Sequence, residues 1–165
     1  MTETETPSEA VEERRVQTEP LGRNAMAGIA GGVLGTLVMT AILLVVTVVA
    51  DADLQVFQTV AELTTGGGSV LFGFLMFFAA GALAWPLFYV TLGLYFPGRT
   101  RVRQALLFAA VLWMGFVIAF ARLYTGLDLA VFLGFSVVTH LLYGYILGAV
   151  FARITGQYES PELLV

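Results

Sequence analysis

AMAGIAGGVLGTLVMTAILLVVTVVA, residues 25 to 50, runs for 26 positions without one charged side chain. A hydrocarbon layer about 30 Å thick is crossed by roughly 20 apolar residues in helical form. Core helices of water-soluble bundles rarely need so long an uncharged run. Three further stretches read the same way, Val70–Tyr95, Gln104–Leu123 and Leu129–Ala152. Hydrophobic residues make up 58% of the chain and charged ones 12%, against about a quarter charged in an ordinary soluble domain. No segment alternates apolar and polar at period two, which excludes a β-barrel. The fold class that follows is all-α: a polytopic membrane protein, a four-transmembrane-helix bundle within residues 24–153.

Outside these runs the composition changes sharply. Residues 1–23 are rich in Thr, Glu, Ser and Pro, and six of the 12 acidic residues lie within the first 19 positions. Such a segment buries too little apolar surface to offset the entropy of ordering, so a disordered acidic N-terminal tail is expected. It does not read as a signal peptide, being acidic and followed by too long an apolar run. All eight basic residues are arginine. Arg14, Arg15 and Arg23 precede the first run, Arg99, Arg101 and Arg103 sit between the second and third, and Arg153 follows the fourth. Only Arg122 falls on the other side. Seven against one places both termini in the cytoplasm of a multi-pass protein of the cell membrane, with residues 154–165 as a cytoplasmic C-terminal tail. The acidic balance excludes nucleic acid as a partner, and the lipid bilayer is the partner expected instead.

Between the first two runs, residues 53–63 place Leu54, Phe57, Val60 and Ala61 at helical spacing. This reads as a short interfacial helix on the outer surface, with a folded-back hairpin as the alternative. Small residues mark the helix-packing faces, since in lipid they let backbones approach. The first helix carries Gly28 and Gly32 on one stripe and Gly31 and Gly35 on another, and the fourth carries Gly144 and Gly148. Their partners lie either within this chain or in a second copy, so a homo-oligomer or a larger membrane complex stays open. Pro86 interrupts the second helix and predicts a kink there, its ring crowding the carbonyl of Ala82.

Chemistry is sparse. There is no cysteine, hence no disulfide, thiolate or Cys-based metal site. Phosphate loops and HExxH motifs are absent, so no catalytic residue and no metal site is assigned, no cofactor is expected, and the chain reads as a non-enzyme. His140, the single histidine, counts to the centre of the fourth helix, at the depth of Thr36 and Thr40 in the first and Trp113 in the third. A polar group so deep is costly unless paired, so this midplane group should face inward. A structural role is expected of it, with His140 bridging to Thr36, Thr40 or the Ala82 carbonyl. Two functional roles stand beside that one. A proton or small-solute path would run past His140, though no acidic group lies along it. Haem ligation, as in a respiratory-chain accessory subunit, would need Met39, Met76, Met114 or a second copy's histidine as the other ligand.

The stretches Gly32-Val33-Leu34-Gly35-Thr36-Leu37-Val38-Met39-Thr40 and His140-Leu141-Leu142-Tyr143-Gly144-Tyr145-Ile146-Leu147-Gly148 resemble patterns in a small family of uncharacterised four-helix membrane proteins of halophilic archaea. The resemblance covers the four helices and not the acidic tail. It implies a haloarchaeal origin, in keeping with the acidic, lysine-free composition, and brings no activity with it. A non-enzymatic accessory or structural subunit of a membrane complex is therefore the leading expectation.

Overall fold

In the computed structural model, residues 7–49, 55–67 and 69–159 are described, with side chains from Leu21 onward, Leu94 apart. Helix α1 runs Pro7–Val49, α2 Val56–Thr65, α3 Val70–Ala79, α4 Trp85–Leu92, α5 Arg101–Phe120 and α6 Gly126–Thr155. A π-helical turn, Ala80–Ala84, joins α3 to α4, and single 3-10 turns, Gly93–Tyr95 and Ala121–Leu123, follow α4 and α5. The described residues contain no strand, only an isolated bridge between Thr100 and Glu159.

Four rods are long and apolar enough to cross a membrane: Leu21–Val49, Val70–Leu92, Arg101–Leu123 and Gly126–Thr155. Their outward faces are apolar. Ile118 is 82% exposed, Val48 81% and Leu127 79%.

Local chemistry sets the ends. Ser69 caps α3, its hydroxyl accepting from the Phe72 N–H at 3.2 Å, and Thr100 does the same for Arg103 at the start of α5. Gly66 and Gly156 close α2 and α6 in the left-handed conformation, at φ 74° and 72°, where a side chain would be strained. The backbone of α1 is helical from Pro7, through much of the segment expected to be disordered. Once a long rod supplies the nucleus, adding Glu, Ala, Arg and Gln ahead of it costs only propagation. Residues 1–6 lie outside the described residues, as do the acidic side chains of the tail and residues 160–165.

The rods are arranged in the order second, first, fourth, third. Close approach at the predicted glycines explains this. A Cβ on Gly28 would stand 2.6 Å from Val90 Cγ2, and one on Gly32 would collide with Pro86 Cγ. On the other stripe, a Cβ on Gly31 would stand 3.0 Å from the Leu147 backbone and one on Gly35 2.8 Å from the Tyr143 ring. Gly144 and Gly148 seat the third rod, at Ala105, Ala109 and Val102. Every one of these faces is filled from within the chain.

The second and third rods therefore have no shared seam over most of their length. They meet at the end carrying Arg99, Arg101, Arg103 and Arg153, the arginine end, where Tyr89 and Phe96 pack on Phe108. Arg101 is buried there. It donates to Gln104 Oε1 at 3.3 Å and Gln157 Oε1 at 2.6 Å, lies over the Phe151 ring, and its backbone carbonyl accepts from the Tyr89 hydroxyl.

At the opposite end α2 folds back on α3, the hairpin that stood as the alternative to a plain interfacial connector. Val56, Thr59 and Ala61 are buried, and the Phe57 carbonyl lies so close to Gly73 that a Cβ there would overlap it. The Phe57 ring packs edge-on against Phe74 and Phe77. The helix folds back on α3 because the glycine admits its backbone. Leu54, assigned to the same apolar face, lies outside the described residues.

Candidate functional site

Between the second and third rods lies a cleft of about 870 Å³, roofed by Val60 and Thr64 of α2. Its walls are Met76, Leu83 and Trp85 on one side and Leu112, Phe116 and Phe120 on the other. Thr36, His140 and Tyr143, from the first and fourth rods, form its floor. Among the described residues no charged side chain lines it. The cleft exists because rods two and three are held apart by the two rods between them.

The floor is built from a break in helical bonding. Pro86 has no N–H, and the Trp85 N–H bonds back five residues to the Ala80 carbonyl. The Gly81 carbonyl thus loses both the α-type donor at Trp85 and the π-type donor at position 86. The Tyr143 hydroxyl donates to it at 2.7 Å, from the fourth rod. Just ahead of Pro86, at the position of the expected kink, the structure has a π turn whose freed carbonyl is satisfied across a helix interface.

His140 falls at the middle of Gly126–Thr155, and 8% of it is exposed. Its Nδ1 lies 2.8 Å from the Ser136 carbonyl one turn back. A carbonyl only accepts, so Nδ1 carries the hydrogen, and in the neutral ring Nε2 is left with a lone pair. The Phe116 ring, 5.0 Å away between centroids, holds the imidazole from the third rod. Trp113 Nε1 donates to Ser136 Oγ at 3.0 Å, so Ser136 ties Trp113 and His140 to one turn of α6.

Of the expected midplane group, Thr36 and His140 line the cleft and Trp113 is tied to the turn below His140 through Ser136, yet the three form no single hydrogen-bonded set. Thr36 packs against the Cα of Gly81, where any side chain would strike its hydroxyl. The Thr36 and Thr40 hydroxyls are buried and have no partner among the described residues. Thr40 does not line the cleft. The bridging expected of His140 is made by Tyr143. Ser136 and Tyr143 are the residues that sequence reasoning passed over, while Gly81 was expected only as a small packing residue of the second helix. Tyr143 stood within the quoted His140 stretch, one turn from the histidine, and its hydroxyl was the available signal. Among the described residues no three of His, Cys, Asp and Glu converge on a point.

Residues 22–162 fit the model of a family described as of unknown function (DUF6789). No curated protein and no solved structure matches the chain.

Proposed function

We propose, for a chain that belongs to the DUF6789 family of unknown function, that it resides in the cell membrane as a non-enzymatic accessory protein holding an apolar molecule. The single observation that carries this reading is the cleft between the second and third rods. Rods with so apolar an exterior are stable in lipid and aggregate in water, which supports membrane residence. The arginine excess at one end supports cytoplasmic termini. A cleft open between two such rods then faces lipid, and a bilayer-dissolved molecule enters it without crossing water. Apolar walls with a few polar groups are the usual make-up of a small-molecule site.

The expectation of a packing partner rested on the glycine stripes. These are occupied by the chain's own helices, so the open cleft, and not the stripes, is the surface left for an occupant. The acidic, lysine-free composition is in keeping with a protein that faces concentrated salt, as a haloarchaeal origin would require.

Gly115 lines the cleft and has open space where a Cβ would stand. Native mass spectrometry of the protein released from membranes in mild detergent should show a bound lipid-soluble species. Gly115→Trp should lose it while keeping the same helical content. Equal retention by both proteins would sink the reading.

A further inference from the structure

We infer that the occupant is an uncharged aromatic molecule carrying a hydroxyl, of the phenol or hydroquinone class, whose O–H donates to His140 Nε2. This rests on the cleft being a binding site. Four observations select that chemistry. The Ser136 carbonyl takes the Nδ1 hydrogen and leaves Nε2 as an acceptor, so the ligand must bring a donor. No other hydrogen-bonding partner of the ring stands among the described residues, and a lone pair in apolar surroundings gains most from a donor that water does not supply. The cleft is lined by five aromatic side chains, Phe77, Trp85, Phe116, Phe120 and Tyr143, which suit a flat ring stacked or met edge-on. Among the described residues no cation lines it, so a carboxylate has no counter-charge there, and this sets aside haem, with its propionates, although Met39 and Met76 also line the walls.

The histidine is also held for the purpose. Its ring is pinned by Phe116, and the turn carrying its acceptor carbonyl is pinned by the Trp113–Ser136 bond. A fixed acceptor loses little freedom when a donor arrives.

The test uses the full chain in detergent micelles with two probes, a ring-brominated octylphenol and its methyl ether. Both are read by bromine quenching of tryptophan fluorescence, since Trp85 lines the cleft. One hydrogen bond is worth about tenfold in affinity, so the phenol should bind roughly tenfold tighter than the ether. His140→Leu should bind both alike. His140 is the only histidine, so in histidine-labelled wild-type protein a single Nε2 nitrogen resonance should move upfield with the phenol and stay with the ether. That measurement needs no variant. Equal binding of the two probes to wild type, or an unmoved Nε2 signal, overturns the inference. If both probes bind equally and Gly115→Trp excludes both, the hydroxyl assignment falls and the cleft reading stands. If Gly115→Trp excludes neither, the cleft reading falls, and the inference with it.

Discussion

Tyr143 and Thr36 sit on the same floor and should respond oppositely to loss of a hydroxyl. The Tyr143 O–H satisfies a carbonyl that Pro86 leaves without a donor. Tyr143→Phe strips that bond and leaves the carbonyl buried, at a cost of about 1 kcal/mol for an interhelical bond in an apolar setting. The Thr36 hydroxyl has no partner among the described residues, so Thr36→Val, nearly the same shape, removes an unsatisfied group and should leave stability unchanged or slightly raised. Unfolding by added SDS in mixed micelles, followed by circular dichroism, reads both. Counting along the helices was enough to put His140 and Thr36 at one depth. It could not say which side chain reaches which, because that depends on how each helix is turned about its axis. Three or four residues along α6 separate Ser136, His140 and Tyr143, and each finds a different partner.

At the scale of elements, the glycine stripes were legible because a helix repeats every 3.6 residues and small residues recur on that period. The paired substitutions Gly144→Ala and Gly134→Ala test what the stripe does. A methyl on Gly144 would lie 2.6 Å from Ala109 Cβ and 2.7 Å from the Ala105 carbonyl, whereas Gly134 has open space. The first change should destabilise by about 1–3 kcal/mol through overpacking. The second, on the same helix, should stabilise by up to about 1 kcal/mol, alanine being the better helix former. Two elements were legible only in part. The π turn depends on where the carbonyl freed by Pro86 finds a donor, and that donor lies 62 positions further along the chain. The fold-back of α2 depends on Gly73, a single glycine whose meaning appears only when a second helix lies across it.

For the whole molecule, helix number and class followed from run length alone. The spatial order of the rods did not, since composition says that a face packs and not against whom. The absence of cysteine makes the orientation directly measurable. Gln58→Cys, on the exposed side of α2, should react with an impermeant maleimide added to intact cells. Arg99→Cys, at the arginine end, should react only after the membrane is opened. The reverse pattern would invert the topology. Arg101 belongs to a different argument from its neighbours. Being buried among Gln104, Gln157 and Phe151, it is a structural clamp, and Arg101→Ala should loosen the C-terminal segment to proteolysis while Arg99→Ala leaves it intact.

The order second, first, fourth, third also governs how the protein is made. The first helix leaves the ribosome with one stripe ready for the next helix and another, at Gly31 and Gly35, whose only seat is the last. At about 5–20 residues per second, that second stripe waits several seconds beside the translocon with nothing of its own chain to cover it. Biogenesis is therefore the stage at which this fold most needs an insertase or chaperone to shield a bare helix face, and a nascent chain arrested before α6 is where such a factor would be caught.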